Sequence, residues 1–176
     1  SSSMPSPRQR ARGGLLGLAC GDAVGTTLEF APRDSRPPVT DMVGGGPFHL
    51  HPGQWTDDTS MALCLAESLL ACHGFDARDQ LERYVRWWRD GYLSSTGTCF
   101  DIGATTRQAL ANYLASGRLV ADNDQPHKAG NGSLMRLAPV VLWYWPDRRA
   151  AVAEAAESSR TTHAAAEAVD ACRVLA

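Results

Sequence analysis

Apolar residues recur at helical spacing along most of this chain, and no run of strand length alternates apolar with polar. That pattern restricts the chain to helices packed on helices. Thr59–Ala71 reads as a buried helix, and Asp76–Arg89 as another, with Leu81, Tyr84, Val85 and Trp88 on one face. Further helices are predicted over Gly103–Ala115, Ser133–Trp145, Arg148–Ser159 and Thr161–Ala176. Ahead of them, a helical pattern runs from Arg12 to about Phe30, with Gly17, Gly21 and Gly25 four apart. Glycines on one helical face let a neighbouring backbone approach, at a cost of about 1 kcal/mol each. Between these helices, residues 31–54 hold five prolines and Gly44-Gly45-Gly46, a long loop of the kind that tends to be functional.

The predicted class is therefore all-α, with residues 1–11 as a polar tail and residues 12–176 in one domain. Ser1–Ser3 ahead of Met4 read as a cloning scar. At 176 residues a single substantial core is expected, and a net charge of −2 offers no basic surface for nucleic acid. No apolar stretch is long enough to cross a membrane. The apolar stretch behind Arg8, Arg10 and Arg12 ends at Cys20 and meets Asp22, too short a core for an export signal. Five cysteines with no CxxC pair read as reduced thiols, which points to the cytoplasm.

Five short motifs carry candidate chemistry. Trp55-Thr56-Asp57-Asp58-Thr59 opens a helix, where one acid would satisfy capping and the helix dipole. Two adjacent carboxylates between two hydroxyls exceed that need, and all-oxygen donors suit Mg²⁺, Mn²⁺ or Ca²⁺. Gly21-Asp22-Ala23-Val24-Gly25 followed by Glu29 puts two carboxylates seven residues apart, on one helical face. Asp101 lies just before a predicted helix, where an N-cap is the default explanation. Gly130-Asn131-Gly132-Ser133 leads into a helix, so its amides can face an anion such as a pyrophosphate, or Ser133 can simply cap. His163 falls in the first turn of the last predicted helix, a position that alone says little.

The order of these motifs is more specific than any one of them. Together with Asp101-Ile102-Gly103-x-Thr105-Thr106, Leu134-Met135-Arg136-x-x-Pro139 and Ser159-x-x-Thr162-His163, the series resembles the ADP-ribosylglycohydrolase family from about Arg12 to Ala176. The resemblance implies a compact, orthogonal, all-α bundle around a binuclear Mg²⁺ or Mn²⁺ site. It implies hydrolysis of the bond between the anomeric carbon of ADP-ribose and an acceptor such as arginine or serine on a protein. By the same resemblance Thr56, Asp57 and Asp58 are metal ligands, and Glu29 and Asp101 are ligand or acid/base candidates. Asn131, Gly132 and Ser133 line the ADP-ribose groove, and His163 contacts the ligand. The family's downstream Asp-x-Asp-Thr/Ser motif has no counterpart here. Asp122-Asn123-Asp124 has the spacing but runs into Gln125 and precedes the glycine loop. The expectation is a chain covering the N-terminal part of such a domain, truncated on its C-terminal side. The alternative is a non-catalytic ADP-ribose-binding or crystallin-like relative without a complete metal site.

Overall fold

The computed structural model describes residues 6, 9, 51–122, 136, 138–144 and 147–163. Five helices account for most of them: α1 Asp57–Cys72, α2 Ala77–Asp90, α3 Ala104–Ser116, α4 Ala138–Tyr144 and α5 Arg148–Arg160. No strand occurs among the described residues, as the helical spacing requires. Ser6 and Gln9 form a separate local pair: each backbone N–H donates to the other's side chain, at 2.8 and 3.2 Å.

Helix α1 is central. Met61 and Cys64 on one side pack with Leu81, Tyr84, Val85 and Trp87 of α2 and with Leu110 and Tyr113 of α3. Leu65 and Leu69 on the other side pack with Val140 of α4 and Ala155 of α5. A helix buried on two sides cannot carry one apolar stripe, and α1 accordingly mixes Ala, Leu, Ser and Cys around its circumference. Helix α2 is the opposite case. Leu81, Tyr84 and Val85 face the core, while Arg78, Glu82, Arg86 and Arg89 are exposed. Full burial of a large side chain such as Trp87 stabilises by about 1.5–3 kcal/mol.

The chain ends its helices by local chemistry. Asp76 accepts a hydrogen bond from the Asp79 amide at 2.9 Å at the start of α2, and Asp147 from that of Ala150 at 3.1 Å at the start of α5. Helix α1 stops at His73 in the left-handed region (φ 54°), after which the Gly74 amide reaches back to the Leu69 carbonyl at 3.1 Å. Tyr144 of α4 then ties this corner down, its hydroxyl accepting from the Phe75 amide at 3.0 Å.

Two boundaries differ from the sequence reading. The predicted helix over Ser133–Trp145 is interrupted at Arg136, which lies in a turn ahead of α4; Ser133–Met135, Leu137 and Trp145 lie outside the described residues. Pro139 fits the first turn of α4, because it lacks an amide hydrogen to donate within the helix. Helix α5 ends at Arg160, so Thr161, Thr162 and His163 form the turn that follows it rather than the first turn of a new helix.

Candidate active site

Thr56 begins α1 as its N-cap residue, yet its side chain makes no capping hydrogen bond. Thr56 is buried, while Asp57 and Asp58 are half-buried in the first turn, where the helix dipole favours negative charge. The approach to this turn is fixed by the loop that leaves α2. The Ser95 hydroxyl donates to the Trp55 carbonyl at 2.5 Å, Gln54 Nε2 to the Ser95 carbonyl at 3.4 Å, and Trp55 Nε1 to the Leu93 carbonyl at 3.4 Å. Polar side chains within the loop hold its own shape, with Ser94 Oγ donating to the Thr98 carbonyl at 2.5 Å.

The same loop carries Cys99, Phe100 and Asp101 back toward α1. Burial, reinforced by the negative charge of Asp57, pushes the Cys99 thiol up to about 11. Asp57 and Cys99 therefore sit within electrostatic reach of each other. Gly103 is the N-cap residue of α3, and Asp101 lies two positions earlier, half-buried, with φ 58°. A left-handed backbone is tolerated by Asp better than by most residues but is still unfavourable. It turns the chain sharply between the loop and α3.

A second polar centre surrounds Arg136, which is fully buried at 1% exposure. Its Nη1 donates to Thr162 Oγ1 at 2.7 Å, and its Nη2 to the Ser158 carbonyl at 2.7 Å and Thr161 Oγ1 at 3.1 Å. The guanidinium also lies over the Tyr84 ring, 4.9 Å from its centre. His163 completes the group: its Nδ1 is 2.8 Å from Thr162 Oγ1, and the Ser159 hydroxyl donates to its carbonyl at 3.1 Å. Burial first, and the nearby Arg136 charge second, drive the His163 ring down to about 3, so it is neutral at physiological pH.

Of the residues singled out from sequence, the structure brings Thr56, Asp57 and Asp58 together with the loop that carries Asp101. It sets His163 in a buried turn with Arg136. Glu29, Asn131, Gly132 and Ser133 lie outside the described residues, as does Asp22. Among the described residues, no group of three or more His, Cys, Asp or Glu is close enough to hold a metal ion. The donors that do gather at the start of α1 are hydroxyl and carboxylate oxygens, which fits Mg²⁺ or Mn²⁺ better than zinc.

Residues 3–176 match the sequence model of the ADP-ribosylglycohydrolase family. The chain belongs to the ADP-ribosylglycohydrolase family. It is 50% identical over 166 residues to the ADP-ribosylarginine hydrolase Tri1 of Serratia proteamaculans, covering 94% of this chain and 45% of that protein. It is 37% identical over 142 residues to the ADP-ribosyl-[dinitrogen reductase] glycohydrolase of Rhodospirillum rubrum, covering 78% of this chain and 46% of that one. Among solved structures, an ADP-ribosylglycohydrolase-related protein complex superimposes with a TM-score of 0.81 at 47% identity, over 96% of this chain and 54% of the other. The chain thus spans about half the length of these relatives. The ADP-ribosylglycohydrolase fold is the all-α architecture expected from the sequence.

Sequence reasoning passed over Ser95 and Gly91, and quoted Arg136 and Thr162 within motifs without giving them a role. Ser95 and Gly91 hold the loop, and Arg136 and Thr162 hold His163. Gly91 ends α2 at φ 72°, and a Cβ there would be driven into the Gly97 carbonyl. The glycine following Arg89 and Asp90 was a readable helix stop. The buried role of Arg136 had no local signal.

Proposed function

We propose that the protein to which this chain belongs hydrolyses the glycosidic bond between ADP-ribose and a protein side chain, with arginine as the preferred acceptor. The observation that carries this reading is the meeting of the Thr56–Asp58 turn with the loop that leads to Asp101, where Ser95 bonds the Trp55 carbonyl and Asp57 acts on Cys99. Family membership, and the names of the relatives at 50% and 37% identity, support the reaction class. An acceptor guanidinium is cationic, and the carboxylates of Asp57, Asp58 and Asp101 on this turn and its neighbouring loop favour it electrostatically over a neutral serine linkage.

In this reading Thr56, Asp57 and Asp58 would hold Mg²⁺ or Mn²⁺, which would supply Lewis-acid polarisation at the ribose. Cleavage builds positive charge at the anomeric carbon, and the carboxylates of Asp101 and Glu29 are placed in sequence to stabilise it or to take a proton from water. The bond from that carbon to the acceptor nitrogen breaks with its electron pair on nitrogen. Water supplies hydroxyl to the carbon and a proton to the leaving guanidine. Asn131, Gly132 and Ser133 offer amides to the pyrophosphate, and neutral His163 adds a polar contact to the ligand.

The test is release of ADP-ribose from an ADP-ribosylated arginine substrate by the full-length protein, with and without a chelator. Activity should need Mg²⁺ or Mn²⁺ and should vanish in Asp57→Ala with helicity unchanged, since an acid in the first turn is worth only about 0.3–1 kcal/mol to the helix. Undiminished turnover in the variant or under chelation would refute the metal mechanism. A serine-linked substrate cleaved faster than the arginine-linked one would refute the acceptor assignment.

A further inference from the structure

A buried arginine normally has a carboxylate beside it. Arg136 has none among the described residues, although it is 1% exposed. Its guanidinium is instead held by neutral oxygens of the last turn of α5 and the turn after it, and its Nε has no hydrogen-bond partner among the described residues. Such a site is costly to maintain, so clamping α4's approach to α5 is a weak explanation for it. Apolar residues of similar volume would clamp as well or better.

The geometry of the contact suggests a more specific task. Arg136 Nη1 can only donate, so Thr162 Oγ1 accepts that hydrogen bond. The same oxygen is 2.8 Å from His163 Nδ1. An oxygen that has accepted a charge-assisted hydrogen bond becomes a better donor through its own proton. The favoured arrangement runs in one direction, from Arg136 to Thr162 to Nδ1. Nδ1 is then an acceptor, and a neutral ring must carry its single proton on Nε2.

We infer that Arg136 is a positioning residue: through Thr162 it fixes the tautomer and orientation of His163, so that the ring offers an Nε2–H donor to an oxygen of ADP-ribose. The inference rests on the reading of His163 as a ligand contact given above, but its first half concerns the ring alone. The positive charge of Arg136 acts in the same sense, because it opposes a second proton on the imidazole. Arg136 touches neither substrate nor reacting atoms in this scheme. It acts only by holding another side chain in one of its two neutral forms.

The experiment is ¹⁵N-detected histidine NMR on the full chain at neutral pH, paired with steady-state kinetics on an ADP-ribosylated arginine substrate. His163→Gln assigns the signal. The wild-type ring should show its proton on Nε2. Thr162→Val, nearly isosteric, should shift the ring toward the Nδ1–H form and raise KM about tenfold, the loss of one oriented hydrogen bond, with kcat changed less than about twofold. Arg136→Lys should do the same in weaker form, and Thr162→Ser should restore wild-type behaviour. A merely structural clamp would lower Tm in these variants without moving the tautomer. A wild-type ring protonated on Nδ1, or a tautomer indifferent to Thr162→Val, overturns the inference. So does a KM unchanged in that variant while its tautomer moves. If the wild type released no ADP-ribose at all, the proposed function would fall, while the tautomer measurement would still decide the role of Arg136.

Discussion

His163 makes the folded chain sensitive to acid in a calculable way. The ring is 3% exposed and held down to about 3 from its ordinary 6.5. Between those two values the unfolded chain binds a proton that the folded chain refuses, so stability falls as pH falls. Above about 7 both states are neutral there and the effect is absent. At pH 5.5 the loss is about 1.4 kcal/mol, and at pH 4.5 about 2.7 kcal/mol, from the standard linkage relation. The second figure is insensitive to the exact folded-state value, because the folded ring stays neutral at pH 4.5. Domains of this size are stable by only about 5–15 kcal/mol, so the loss is a large share. Urea unfolding at pH 7.0, 5.5 and 4.5 on wild type and His163→Gln measures it. The variant has its own cost at every pH, so the quantity of interest is the change in the difference between the two proteins. That difference should shrink by about 2.7 kcal/mol from pH 7.0 to 4.5, or about 1–2.7 M in relative midpoint for ordinary slopes. Parallel acid limbs in the two proteins would refute the claim that His163 is buried as a neutral ring.

Three further outcomes follow from particular residues. Gly91→Ala should destabilise by more than about 2 kcal/mol, since φ 72° is unfavourable for a side chain and the new Cβ meets the Gly97 backbone; the urea midpoint reports it. Asp101→Asn should lose turnover but melt near wild type, because Asn tolerates the left-handed region. Asp101→Ala should lose turnover and about 1 kcal/mol more stability, and equal Tm values for the two would remove backbone conformation from the account. Cys64, fully buried with its thiol pushed up to about 12 chiefly by desolvation, should resist alkylation at pH 8 in the folded protein and react only on unfolding.

The helices legible in the sequence were those whose own residues specify them. Thr59–Ala71 and Asp76–Arg89 fell within a residue or two of α1 and α2, because helical spacing and the Asp76 cap are local signals. Gly103–Ala115 came equally close to α3. The Ser133–Trp145 reading missed the turn at Arg136 because Pro139 was passed over as the start signal of α4. His163 was put into a new helix, whereas Thr161 and Thr162 instead fold their amides back onto the Ser158 and Ser159 carbonyls at 3.3 and 3.1 Å. Two consecutive β-branched threonines gain little from continuing a helix, and their hydroxyls bind Arg136 here. That choice depends on a side chain 25 or 26 residues away, which no local pattern encodes. At the candidate site, Thr56–Asp58 were conspicuous as excess acid and hydroxyl, whereas Asp101 read as an ordinary N-cap and stood out only through the family resemblance. Ser95 was not conspicuous, because a serine in a polar loop looks the same whether or not its hydroxyl meets the Trp55 carbonyl.

Helix α1 belongs to both apolar clusters, so it cannot open without dismantling them. Its amides from Met61 to Leu69 should exchange with solvent deuterium only through global unfolding, whereas the Ser94–Thr98 stretch, held by side-chain hydrogen bonds, can open alone at lower free energy. Tyr92, Leu93, Cys99 and Ile102, on either side of that stretch and of Asp101, pack against the same cluster as α1. Asp57 and Asp58 ride on the last element to come apart, and Asp101 is anchored on both sides by the same core, so the two acidic segments share one cooperative unit.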